Sequence, residues 1–341
     1  MGKTKTINVD LWNVWGKVFQ TIVIKAITGS ILLGLVVAAL RIVLELILGD
    51  ALQPRVLEKS GVPGVTCPHS LFLFGSVIYP IDMLLRKIPA LSRRKFDAAY
   101  LKEKIGIFAE NHVMGFILGV LFGLVAKYSV VKSLTLGITC AAAMTLLPMA
   151  TKLFMQALAP ISDACTSFMK KKVKGREVFI GLDAPIILGN PEIWVSCMIT
   201  IPFLLIWAVA LPQNRMLPFA GIVNLALALC AFYVCDGNLV RMLIIMCGVG
   251  APIFLLCGTA MAPMISELAV QNGFIAAGTL VSNSALDAPV FCYAFSFIWK
   301  ITKGNLLPLI CVIYYIFGYI LMIRDLRKTY AKQDSTNVVS D

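Results

Sequence analysis

Four ionisable side chains interrupt apolar or membrane-proximal stretches of this chain: His69, Glu110, Asp183 and Asp287, with Asn190 and Asn283 as neutral companions. An ionised group at bilayer depth costs about 3 kcal/mol or more when nothing compensates it, so such residues are candidates for function first. Carboxylates, an imidazole and amides suit a ligand rich in hydroxyls. Each can bond a diol, and an imidazole or carboxylate can take the proton of one hydroxyl. Each residue also has a plain structural reading. His69 follows Pro68 at an expected helix start and can be satisfied by backbone carbonyls, Glu110 precedes an apolar run and can cap its helix, and His112, two residues on, reads as an interface residue. Asp183 and Asp287 each stand in Leu-Asp-Ala-Pro, at 182–185 and 286–289, where an aspartate before proline fits a helix N-cap. Cap and ligand contact are compatible, because transporters hold polar ligands at half-helix ends.

The elements that must position these residues are broken ones. FIGLDAPIILGNPEIW, residues 179–194, lies between a basic run and an apolar run, and two glycines, two prolines, Asp183 and Glu192 interrupt it. Backbone broken in this way survives at membrane depth only where it is buried in protein or lines a wet cavity. Segment 64–85 carries Pro68, Gly75 and Pro80, and segment 273–299 repeats its plan of polar loop, proline beside His or Asp, and aromatic-rich apolar run. Paired interrupted segments of this kind point to a transporter's binding site and to a weak internal repeat.

Composition sets the class. With 341 residues, 59% of them hydrophobic and 14% charged, and a mean hydropathy of +0.86, the chain is excluded as an ordinary soluble domain and reads as an all-α polytopic membrane protein. Its net charge of +12 does not indicate nucleic acid: 16 of the 30 Lys and Arg fall in three short runs, 86–104, 170–176 and 324–332, which the positive-inside rule makes cytoplasmic. The ten cysteines form no CxxC pair and only two histidines exist, so no disulfide framework or metal site is expected. Walker A, GxGxxG, GxSxG and HExxH motifs are absent, which leaves no independent active site and no cofactor.

Residues 8–19 alternate polar residues with Trp12, Trp15 and Phe19 and read as an interfacial helix, so we delimit an N-terminal interfacial segment, 1–20, a single membrane domain, 21–323, and a cytoplasmic polar tail, 324–341. About seven full spans are expected, at 21–48, 113–128, 133–158, 194–211, 217–235, 240–264 and 305–323, plus two to three broken or re-entrant segments. Arg41 and Glu45 in the first span are four apart and pair on one helix face, with snorkelling near the helix end the expected fate of their charge.

At this point the chain resembles a family, the membrane-embedded IIC component of the bacterial galactitol-type phosphotransferase system. NVDLWNVW at 8–15, GVTCPH at 64–69, IPALSRRKF at 88–96, VMGFILG at 113–119, FIGLDAPIILG at 179–189, NRMLPFAG at 214–221 and GNLVRML at 237–243 carry the resemblance in order along most of the chain. It implies a multi-pass permease of the bacterial inner membrane, with a cytoplasmic C-terminus, that takes up galactitol or a related polyol or sugar while the substrate is phosphorylated. The donor would be the phosphocysteine of a separate IIB protein, itself supplied by IIA. The resemblance further implies a homodimer, His69, Glu110, Asp183, Asn190 and Asp287 as substrate-binding positions, and His69 as the imidazole that helps activate the attacking hydroxyl. Departures are specific: family members carry further membrane segments before NVDLW, whereas Met1 lies seven residues from it, so a separate chain supplying those helices is an expected partner. The family's PHG reads Pro68-His69-Ser70 here, the histidine expected after Gly189 is Asn190, and an acidic residue is missing after Ala220-Gly221. The rival readings are a non-transporting membrane subunit and an ion-coupled secondary transporter.

Overall fold

The structure, a computed structural model, describes residues 4–8, 12–92, 96–172, 178–183, 188–216, 220–282, 287–300 and 305–337. A short strand, β1 (Thr6–Asn8), precedes α1 (Trp15–Thr28) and α2 (Ile31–Ser60). Between the two helices the chain reverses. Gly29, at φ +75°, closes α1 in the left-handed conformation that glycine adopts without strain, and Ser30 caps α2 by accepting the Leu33 N–H at 3.2 Å. The expected first span at 21–48 is therefore a helical hairpin, and only α2 is long enough to cross a membrane.

Beyond α2 come β2 (Val65–Thr66), a tight turn of 3-10 helix at Ser70–Phe74 and the half-helix α3 (Gly75–Leu85). This broken segment is the centre of the core, with Phe72, Phe74, Ile78 and Tyr79 each at most 2% exposed. Then follow α4 (Ala98–Ile105), α5 (Asn111–Val125), α6 (Val130–Lys172) and the central strand β3 (Phe179–Gly181). α5 and α6 form a second hairpin, packed through Gly115, Gly119 and Gly123. A Cβ on Gly119 would stand 2.8 Å from the Gly137 Cα, so glycines four apart permit backbone-to-backbone contact. The remaining helices are α7 (Pro191–Ala210), α8 (Ala220–Val234), α9 (Leu239–Gln271, with a π turn at Met246–Gly250), α10 (Asp287–Phe297) and α11 (Leu307–Asn337). α11 closes over the broken segment and α2: the hydroxyls of Tyr315, Tyr314 and Tyr319 donate to the carbonyls of Leu73, Val77 and Leu44 at 2.7–2.9 Å. Irregular backbone inside a membrane protein needs such partners, because lipid supplies none.

The expected count of seven full spans is not confirmed. Among the described residues five helices are long and apolar enough to cross a membrane, in α2, α6, α7, α9 and α11. A sixth appears only if α4 with the turn after it, Lys102–Ala109, and α5 count as one span bent by 63°. The expected spans 113–128 and 217–235 yield helices of 15 residues, about 22 Å at the usual rise and short of a hydrocarbon core of about 30 Å. α11 continues beyond 323 as helix to Asn337.

The fate of Arg41 and Glu45 also differs from expectation. They pair at 3.1 Å but do not snorkel, being 0% and 1% exposed, because α1 folds back and surrounds them with Lys17, Gln20 and the Gly16 carbonyl.

Candidate functional site

Three short parallel strands, in the order β1-β3-β2, bring the broken segments together. Val65 pairs with Ile180 and Thr66 with Gly181. Parallel pairing sends both chains out of the sheet in the same direction, so Pro68-His69 and Leu182-Asp183 emerge side by side. The sheet is fastened to α2: Asp50 accepts from the Lys5 N–H at 3.0 Å and the Thr6 hydroxyl at 2.7 Å, and the Thr66 hydroxyl donates to the Gly49 carbonyl at 2.6 Å. A Cβ at Gly181 would fall 2.5 Å from Pro68 Cγ, so only glycine lets β3 lie against that proline.

His69 and Asp183 meet as a result. His69 Nε2 stands 3.4 Å from Asp183 Oδ1, with the side chains 17% and 32% exposed, buried enough to be oriented and open enough to be reached. His69 also caps the turn that follows it, its Nδ1 accepting the Leu71 N–H at 3.1 Å. The cap and the contact with Asp183 therefore coexist: one ring nitrogen caps, the other faces the carboxylate.

Behind His69 lies a buried polar network, and Asn13 grips the backbone on both sides of the histidine. Its Nδ2 donates to the Pro68 carbonyl at 2.8 Å and its Oδ1 accepts the Ser70 N–H at 3.1 Å. The Ser70 hydroxyl donates to Glu45 at 2.7 Å, and Lys17 reaches Glu45 at 2.5 Å and the Ser70 hydroxyl at 3.1 Å. Asn13, Lys17, Glu45 and Ser70 are each at most 8% exposed. Sequence reasoning passed over Asn13 and Lys17 and met Ser70 only as a departure from the family's PHG; the other local signal was the spacing of Arg41 and Glu45.

The other candidates go elsewhere. Glu110 occupies the backbone N-cap position of α5 but makes no side-chain cap bond, and it forms an ion pair with Lys102 at 2.6 Å instead. His112 is exposed. Asn190 stands at the N-cap of α7 and, with Glu192, Asp97, Asp236, Lys59 and Arg241, lines a polar cavity of about 350 Å³ whose walls include neither His69 nor Asp183. Asp287 opens α10, but its side chain lies outside the described residues, as does all of Asn283. Residues 184–187, the Ala-Pro part of the first Leu-Asp-Ala-Pro among them, also lie outside, so the expected capping by Asp183 does too.

A third constellation was likewise missed. Asp82 on α3 is fully buried and receives Arg86 Nε at 2.5 Å and Arg241 Nη1 at 2.8 Å, while Arg86 also reaches Asp325 on α11 at 3.1 Å. It ties the end of the half-helix to α9 and α11, and the four-residue spacing of Asp82 and Arg86 was its one sequence signal.

A family model described as EIIC-GAT, PTS system sugar-specific permease component, matches residues 1–278. A permease IIC component of Escherichia coli strain K12, whose name carries no substrate, is 36% identical over 295 residues, 83% of this chain and 65% of the relative. The galactitol-specific EIIC component of the PTS system in the same strain is 31% identical over 283 residues, 82% of this chain and 62% of the relative, and its counterpart in Escherichia coli O157:H7 matches to the same extent. The chain thus spans a little under two thirds of the length of these relatives. Five apolar helices of crossing length make it a multi-pass membrane protein, and the match along residues 1–278 means that it belongs to the EIIC-GAT family of phosphotransferase-system sugar permease components.

Proposed function

We propose that this chain acts as the IIC permease of a phosphoenolpyruvate-dependent phosphotransferase system, moving galactitol or a related polyol or sugar across the bacterial inner membrane as the substrate is phosphorylated. The observation that carries the reading is the apposition of His69 and Asp183 at 3.4 Å, where two paired strands end. A carboxylate and an imidazole so held can fix one hydroxyl and receive its proton, which is what phosphoryl transfer asks of a protein besides alignment. Phosphorus comes from outside the chain, from the phosphocysteine of a IIB protein recharged by IIA. The reading also counts Asp287, Asn190 and Glu110 among the substrate-binding positions, with Asn190 in the separate polar cavity and Glu110 paired with Lys102. The working form is a homodimer with its C-terminal tail in the cytoplasm.

Right-side-out vesicles that contain the chain, loaded with phosphoenolpyruvate, the soluble phosphotransferase proteins, IIA and IIB, test this. Phosphorylated polyol inside the vesicles is the expected product, and His69→Ala and Asp183→Asn abolish it while the protein still inserts. Free substrate that follows an ion gradient would instead indicate a secondary transporter, and no uptake at all a non-transporting subunit.

A further inference from the structure

The hydrogen bonds of His69 divide the work between the two residues of the pair. A neutral imidazole has one N–H and one lone pair. The backbone N–H of Leu71 is an obligatory donor and points at Nδ1 across 3.1 Å, so Nδ1 supplies the lone pair and the ring proton resides on Nε2. That proton faces Asp183 Oδ1 at 3.4 Å, a long contact of the kind that tightens when a ligand completes the site. Reversing the assignment would set the N–H of Nδ1 against the N–H of Leu71. The backbone cannot turn away to relieve it, because Asn13 holds the Pro68 carbonyl and the Ser70 N–H, and the Ser70 hydroxyl is held by Glu45 and Lys17. His69 therefore offers the site a donor and no vacant acceptor.

We propose, on the basis of the permease reading above, that the Asp183 carboxylate is the group that takes the substrate proton and that His69 is the donor that orients this carboxylate. The hydroxyl oxygen of the polyol attacks the phosphorus of the partner's S-phosphocysteine. The O–P bond forms as the P–S bond breaks, the cysteine leaves as thiolate with the bonding pair, and the hydroxyl proton passes to Asp183, which later releases it to water. A carboxylate is base enough for this step, since the phosphoryl transition state is loose and the proton departs late. Asn13 and Ser70 are positioning residues that keep the Leu71 N–H on Nδ1.

The chain has two histidines, so His112→Gln leaves His69 as the single imidazole. In that protein, labelled with 15N-histidine and held in nanodiscs, the expected spectrum is one neutral tautomer with its proton on Nε2; Ser70→Gly mixes the tautomers and Ser70→Thr restores one. In loaded vesicles, Asp183→Asn loses about a hundredfold or more in phosphoryl transfer while substrate binding persists. His69→Gln, whose amide carries an N–H to the position of Nε2, stays within about tenfold of wild type and far above His69→Ala, because it lacks only the backbone cap. A proton on Nδ1, or a His69→Gln protein as inactive as His69→Ala beside an active wild type, overturns the assignment and leaves the permease reading standing. A wild type that makes no phosphorylated polyol overturns the permease reading and the proton step together.

Discussion

Glu45→Ala is the perturbation that most directly tests how the site is supported. Glu45 is 1% exposed and accepts four donors: Lys17 at 2.5 Å, the Ser70 hydroxyl at 2.7 Å, Arg41 at 3.1 Å and Asn13 at 3.3 Å. Truncation takes from two buried cations the carboxylate they share. Removing one partner of a buried ion pair costs about 3–5 kcal/mol, and two hydrogen bonds from neutral donors to the same carboxylate are lost as well, which places the expected loss near the upper end of that range. At about 1.4 kcal/mol per decade this is roughly a thousandfold in the folding equilibrium. SDS-driven unfolding in mixed micelles reports it through tryptophan fluorescence, with Trp12 and Trp15 close to the network in sequence. Lys17→Met in the Glu45→Ala background removes one of the exposed deficits, so the double variant loses less than the sum of the single ones, by about 1.5–3 kcal/mol. A Glu45→Ala protein within about 0.5 kcal/mol of wild type, or strictly additive losses, would refute the view that this carboxylate holds the floor beneath His69.

The remaining expectations concern other parts of the fold. Gly119→Leu overpacks the contact with Gly137 and destabilises the α5–α6 hairpin by about 1–3 kcal/mol or more, whereas Gly248→Ala, with nothing within 4 Å of the new methyl, stays within about 0.5 kcal/mol; the same micelle titration separates them. Asp82→Asn leaves Arg86 and Arg241 without their shared carboxylate and lowers stability by about 3–5 kcal/mol, read as a shift of the thermal midpoint by fluorescence-detected size-exclusion chromatography. Glu110→Gln breaks the exposed pair with Lys102 and leaves that midpoint unmoved.

Much of this molecule was legible in its sequence. Composition and the placement of basic runs established a multi-pass membrane protein, because the burial of apolar side chains in lipid and the siting of Lys and Arg are set residue by residue. Pro68, Gly75 and Pro80 marked the segment that folds as strand, tight turn and half-helix, since proline restricts and glycine frees the backbone locally. The order of motifs indicated the family. Three matters were decided only in three dimensions. The reversal at Gly29-Ser30 was hidden inside a continuous apolar run, where hydropathy cannot tell one long helix from two short ones folded together. The depth of Arg41 and Glu45 followed from that reversal, because a charged pair is exposed or buried according to which helix lies beside it. The meeting of His69 with Asp183 depends on strands of two and three residues, too short to show any periodicity, and on a glycine whose missing side chain admits Pro68. Sequence alone picked out His69 and Asp183 as candidates; tertiary pairing set them 3.4 Å apart and decided which ring nitrogen faces the carboxylate.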